Sequence, residues 1–313
     1  MKKIFTVIAI ATLLTSCGGP KYANSSLSII TPTGAPALAF YRYGKDANFE
    51  TNSDPATGIL PLMVAGKKDI VVLPTNAGMQ AILNKKAEYK IAATVSFGNF
   101  YLVSMGNDDN NEMDASDNIL LFQKGNVPDK IFHYIYGDDL NAGIHYVKAV
   151  SDAASAAISG FYVDEESGEK LAPNYVLLAQ PVLTTVLSKN NKVATYADIQ
   201  AKYQEKSNNL PLFQASVFVK NSVDKTISDS FLESLKSDVD NCLKKPSLFK
   251  TYLKGVKDAK NVYGVEPEQA EVVTKNNNGM GLGFEYAKDN KEAIANFLKL
   301  FNIEGYSEEV YYE

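Results

Sequence analysis

Leu27-Ser28-Ile29-Ile30-Thr31-Pro32-Thr33-Gly34-Ala35-Pro36 is the stretch from which the fold can be worked out. An apolar strand over 27–30 runs into a turn of small residues, and Pro36 opens an apolar helix reaching Tyr43. Proline suits the first helical position because its missing N–H has no partner to lose there. The same unit recurs outward along the chain. Asp69-Ile70-Val71-Val72-Leu73 leads through Pro74-Thr75-Asn76 into a helix over 77–83. Residues 118–122 lead through Gln123-Lys124-Gly125-Asn126-Val127 into a helix opened by Pro128, and residues 175–179 lead through Gln180-Pro181 into a helix over 182–187. Repeated strand, polar turn and helix predict an α/β fold, each half a sheet flanked by helices.

Two units lie in each half, which predicts two lobes with a cleft between them. An extended run over 90–104 ends in a polar stretch, 105–117, that serves as an exit from the first lobe. A second extended run covers 214–220, and helices follow at about 224–243, 247–257, 268–275 and 290–301. Two strands are thus expected to cross between the lobes, near 100–106 and 214–220, with the C-terminal helices returning to the first lobe. This divides the chain into lobe I, 27–105 and 216–313, and an inserted lobe II, 106–215. About 287 residues exceed the size one hydrophobic core usually reaches.

Ahead of the first strand, Met1-Lys2-Lys3 and the apolar run 4–14 have the charged and apolar regions of an export signal. The run is too short to span a bilayer, which takes about 20 residues. Leu14-Thr15-Ser16-Cys17 matches a bacterial lipobox, so residues 1–16 read as a lipoprotein signal peptide and Cys17 as the lipidated N-terminus. Several acyl chains on one residue, at about 0.8 kcal/mol per buried methylene, make a lasting anchor on the extracytoplasmic face of a cell membrane. Residues 17–26 form a polar tether. The other cysteine, Cys242, follows Phe231, Leu235 and Val239 at helical spacing and reads as a buried apolar residue.

The chain carries 31 basic and 36 acidic residues, net −5; without residues 1–16, which hold Lys2 and Lys3, the balance is 29 against 36, net −7. Nucleic acid is therefore not an expected partner. Its two histidines, His133 and His145, have no cysteine or histidine at metal-ligand spacing and read as structural or surface residues. No Walker loop, Gly-x-Ser-x-Gly or His-Glu-x-x-His occurs. Gly279-Met280-Gly281-Leu282-Gly283 follows three asparagines instead of an apolar strand, so it reads as a mobile loop near the lobe junction and not as a dinucleotide loop.

Taken in order, Thr31-Pro32-Thr33-Gly34-Ala35-Pro36-Ala37, the segment 69–77, Ala149-Val150-Ser151-Asp152-Ala153-Ala154 and Leu178-Ala179-Gln180-Pro181 resemble the turns of the nitrate, sulfonate, taurine and thiamine-precursor binding group of ABC-importer solute-binding proteins. The resemblance covers about 27–302 and implies the type II periplasmic-binding-protein fold. It also implies a monomer without cofactor that captures a small polar or anionic, possibly heterocyclic, solute and delivers it to a permease. Gln180 departs from the acidic residue many relatives carry. An enzyme of the same fold, like thiamine-pyrimidine synthases, and a surface lipoprotein without a transport role are the alternatives.

In open α/β sheets ligands sit beyond the carboxyl ends of the strands, where helix N-termini favour anionic or polar groups. The candidate ligand contacts are therefore the strand-end residues. Thr33, Gly34 and Ala35 either bind or form a plain turn. Thr75 and Asn76 cap their helix, bind, or both. Ser96, Phe97, Gly98 and Asn99 lie on an extended segment where glycine permits close approach and Phe97 can stack on a ring. Lys124, Gly125 and Asn126 repeat the first-lobe turn with a cation. Ser151 and Asp152, between a strand over 144–150 and a helix from Ala153, read first as caps; Gln180 offers both a donor and an acceptor.

Overall fold

The structure, a computed structural model, describes residues 26–107, 112–137, 140, 143–164, 167–275 and 279–313. Cys17, the signal and nearly all of the tether lie outside the described residues. Thirteen strands are described: β1 (Ile29–Pro32), β2 (Phe49–Asn52), β3 (Ile70–Pro74), β4 (Tyr89–Ser96), β5 (Phe100–Ser104), β6 (Asn118–Phe122), β7 (Gly143–Val147), β8 (Tyr162–Val163), β9 (Lys170–Leu171), β10 (Tyr175–Ala179), β11 (Ala194–Asp198), β12 (Ala215–Lys220) and β13 (Leu282–Tyr286). They form a six-stranded sheet ordered β13-β4-β12-β3-β1-β2, a five-stranded sheet ordered β11-β5-β10-β6-β7, and the small hairpin β8-β9.

Each sheet has a parallel portion, β2-β1-β3 in the first and β10-β6-β7 in the second, made by the strand-turn-helix units. Strands covered on both faces read as unbroken apolar runs, and β3 and β10 are of this kind. In β3, Val71 and Leu73 enter one core while Ile70 and Val72 enter another, following the two-residue alternation of a strand. The second of these cores holds Phe40, Phe231, Phe249 and Cys242 under the C-terminal helices. Cys242 is fully buried, and burial pushes its thiol up to about 12, so it packs as a small apolar residue.

Only residues 97–99 separate β4 of the first sheet from β5 of the second. The chain returns over 199–214, after β11, to enter β12 between β3 and β4. The first crossing thus precedes the expected 100–106, because Phe100–Ser104 pairs antiparallel with β10 and β11 in the second sheet. The expected mobile loop at 279–283 is corrected in part: Leu282–Tyr286 is β13, paired with β4. The long helix Lys225–Lys244 packs on β13, and Tyr311 bridges to Ile91 of β4, so the end of the chain lies on the first sheet.

Candidate functional site

The turn after β1 is built around Gly34, at φ +103° and ψ −141°, a backbone region essentially reserved for glycine. Nothing lies within 4 Å of where a Cβ would stand, so the turn faces open space. Thr33 and Gly34 are half-buried, whereas Ala35 is buried as the first residue of the helix Ala35–Leu38. Thr33 N–H donates to the Asn52 carbonyl at 3.1 Å, which ties this turn to the end of β2. Thr33, Thr51, Asn52, Ser53, Lys260, Asn261 and Gly264 line an open groove of 580 Å³ at these strand ends. A second hollow, of 430 Å³, beside the helix Lys291–Lys299 contains none of the predicted residues.

The turn after β3 differs from expectation. The helix begins at Thr75, and no side chain caps it. The Thr75 hydroxyl instead joins a fully buried chain with Ser216 (2.7 Å) and Thr94 (2.8 Å), linking helix, β12 and β4. Asn76 stands at the second helical position, half-buried, with Oδ1 shielded from solvent and accepting no hydrogen bond.

At the crossing, four amides converge. Asn99 Nδ2 donates to the Gln180 carbonyl (2.6 Å), Gln180 N–H donates to the Asn99 carbonyl (2.9 Å), and Gln214 Nε2 donates to Asn99 Oδ1 (3.2 Å). Gln214 is itself held by its N–H on the Ser96 carbonyl (3.0 Å), and its carbonyl receives Thr75 N–H (3.1 Å). Gln200 Oε1 accepts Phe100 N–H at 2.7 Å. The structure therefore brings Thr75, Ser96, Asn99 and Gln180 into one network. Gln180 Oε1 also accepts from Thr184 (2.9 Å), at the start of the following helix.

Gly98 and Gly281 meet here backbone to backbone: a Cβ on Gly281 would stand 1.8 Å from the Gly98 carbonyl oxygen. Phe97 N–H donates to the Gly281 carbonyl at 2.7 Å, and its half-exposed ring sits edge-on to Phe213. The Tyr101 hydroxyl, pushed up to about 12 by burial, donates to the Gly279 carbonyl at 3.2 Å.

Turns of the second sheet satisfy themselves. Gly125 N–H donates to Asp129 Oδ2 (2.7 Å), and the Tyr146 hydroxyl donates to Asp129 Oδ1 (2.8 Å). Asp129 is 5 % exposed, so a carboxylate of the chain itself fills the helix N-terminus where an anion was expected. His133 Nε2 lies 3.2 Å from both Asp129 and Tyr146. Lys124, Gly125 and Asn126 are exposed, and the Lys124 ammonium sits 4.9 Å over the Tyr146 ring. Ser151 and Asp152 belong to the helix Val150–Ser159, one turn earlier than the sequence suggests. The Asp152 carboxylate accepts Ala149 N–H at 3.0 Å as a cap, and Ser151 is exposed. His145 pairs with Asp164 at 3.1 Å.

Sequence reasoning passed over Gln214, Gln200 and Asp129. Gln214 opened a recognised strand, but nothing local marks its partners, which lie 115 and 118 residues away. Asp129 had a signal: an acid in the first turn of a helix opened by Pro128.

No protein-family model matches the chain, and no curated protein matches it in sequence. Solved structures do match in shape. An ABC transporter from Parabacteroides distasonis superposes with a TM-score of 0.69 at 18% identity, covering 89% of this chain and 92% of that one. The periplasmic aliphatic sulphonate binding protein SsuA from Escherichia coli gives 0.60 at 9% identity, covering 88% and 87%. A conserved Candida albicans gene product described as having the generic periplasmic binding protein structural fold gives 0.55 at 11%, covering 91% and 92%. The structural neighbours thus include the sulfonate-binding group that the turns resemble. Two sheets joined by two crossings, in this order and with these neighbours, give the chain the periplasmic-binding-protein fold.

Proposed function

We propose that this chain is an extracytoplasmic solute-binding lipoprotein, anchored through Cys17, that captures a small polar solute between two lobes and delivers it to an ABC importer. Lobe I is built on the first sheet with the C-terminal helices, and lobe II on the second, starting at β5. The observation that carries this reading is the amide cluster of Asn99, Gln180 and Gln214 at the point where both crossings meet. Strand-end polar groups from two sheets converge there, next to a half-exposed Phe97. A solute touching both sheets binds the closed form better than the open one, and that difference in affinity shifts the population. The crossings are the segments that absorb the rotation. The resemblance in the four turns and the shape of an SsuA protein point to the same role.

A thermal-shift screen of small polar metabolites, followed by calorimetry of any hit, tests the binding role. One equivalent bound to the wild type, and strongly weakened binding by Gly34→Trp, are the expected results. Undiminished binding by that variant places the solute away from the β1 turn. Membrane fractionation of Cys17→Ser tests the anchor separately: the variant is expected in the soluble fraction, and equal retention refutes lipidation as the tether.

A further inference from the structure

The carboxyl ends of β1, β2, β3 and β4 lie along one edge of the first sheet: Pro32 is in register with Asn52, β1 runs parallel to β3, and Ala215 of β12 faces both Pro74 and Ser96. From this edge, after Ser96, the chain leaves for the second sheet. The 580 Å³ groove at the ends of β1 and β2 is on the same edge, where open α/β sheets hold their ligands. β1 and β2 stand three and four places from β4, so at about 4.8 Å per strand the groove is about 14–19 Å along the edge from the crossing.

Its lining is hydroxyl and amide with one charge. Thr33, Thr51, Ser53, Asn52 and Asn261 supply the neutral groups, Lys260 the ammonium, and no carboxylate lines it among the described residues. Asn52 Oδ1 accepts Asp54 N–H at 2.8 Å; among the described residues nothing bonds to the three hydroxyls, the Asn261 amide or Asn52 Nδ2. Glu266 stands 3.5 Å from the Lys260 ammonium, but both side chains are at least half exposed, and such a pair yields readily to a better partner. The helix Ala259–Tyr263, which carries Lys260 and Asn261, is pinned in place. The Tyr263 hydroxyl, buried, donates to the Tyr41 carbonyl at 3.1 Å. Gly264, at φ +72°, closes on the β1 turn so tightly that a Cβ there would stand 3.2 Å from Gly34 Cα. An anion without hydroxyls would satisfy Lys260 and give no donor to the Asn261 carbonyl oxygen, while a neutral sugar would leave the ammonium unmatched. With a single ammonium in the groove and a net charge of −5 on the chain, one negative charge suits it better than two.

We infer that the solute is a polyhydroxylated monoacid, a sugar acid by class, that sets its carboxylate against Lys260 and its hydroxyls among Thr33, Thr51, Asn52 and Asn261. This rests on the solute-binding reading above.

The test uses the full chain purified in detergent. Galacturonate and gluconate are the sugar-acid probes, galactose the neutral one and ethanesulfonate the anion without hydroxyls, all at millimolar concentration in a thermal-shift assay. The expected result is a rise in Tm with a sugar acid and a smaller rise or none with the other two. The Lys260 side chain is 67% exposed, so Lys260→Gln should fold as the wild type does. That variant is expected to bind the sugar acid about tenfold more weakly, and no better than galactose. Stabilisation by ethanesulfonate or galactose and not by the sugar acids overturns the inference while leaving the solute-binding reading intact. No shift with any of the four also overturns it, and the wider metabolite screen then decides the solute-binding reading by itself. Full-strength binding of a sugar acid by Lys260→Gln overturns the placement in this groove.

Discussion

The turn after β1 and the turn after β6 are written in similar letters, a glycine and then a proline opening a helix, yet one stands open and the other is closed by its own side chain. Gly34 has nothing within 4 Å of its missing Cβ, and no side chain caps the helix behind it. Gly125 has equally open space at its Cβ, but its N–H is taken by Asp129, four residues on. A glycine-proline frame therefore specifies the turn and not its vacancy. Whether a helix N-terminus can take a foreign group depends on a charge in the first turn behind it.

Asp129→Ala removes the charged acceptor shared by Gly125 N–H and the Tyr146 hydroxyl and is expected to cost about 2–4 kcal/mol in urea unfolding. A loss under 1 kcal/mol, on the same estimate, would mean that the carboxylate is not the partner holding the turn. Backbone strain also separates the two turns. Gly34→Ala forces a side chain into a region where only glycine is at ease and is expected to cost about 2–3 kcal/mol. Gly125→Ala, at φ +79° with open space at its Cβ, is expected to cost about 1 kcal/mol, so the two losses should rank in that order.

A smaller effect separates the two sheets by pH. Burial pushes Asp238, under the first sheet, up to about 6 against the opposing pull of Arg42. A carboxyl raised in the folded state binds its proton more tightly there than when unfolded. Its contribution to stability is therefore complete below the unfolded value near 4 and is lost as pH rises through 6. Between pH 5 and 7 the wild type is expected to lose about 1 kcal/mol that Asp238→Asn does not lose, read from unfolding midpoints at each pH. The smallest effect is at Lys124, exposed over the Tyr146 ring: Lys124→Ala is expected to change stability by less than about 0.5 kcal/mol.

All four strand-turn-helix units were legible because each couples an apolar run to a turn residue with its own backbone preference. β2 was not, since Phe49-Glu50-Thr51-Asn52 has one apolar residue and lies at the sheet edge. β13 hid behind Gly281 and Gly283, which the close approach to Gly98 and to the Phe97 ring requires. At the site, Thr33, Gly34, Asn76, Asn99 and Gln180 could be read as strand-end residues from the local pattern. What the pattern could not supply was pairing across the chain. Thr75 looked like a cap and was claimed by Ser216, 141 residues away. Gln214 looked like the start of a strand and joins the two crossings.

β3 and β4 follow one another in the chain, yet β12 lies between them in the sheet, and β13 covers the far side of β4. A chain emerging from a ribosome or a translocation pore with its N-terminus first therefore cannot finish the first sheet from its first hundred residues. β3 and β4 must wait for residue 220, and β4 gains its outer neighbour only at residue 286. Pairings this distant in sequence form slowly because the loop must close before any contact rewards it. The topology thus keeps the nascent polypeptide loose until most of it has been made, which is the state in which a chain can be threaded through a narrow channel.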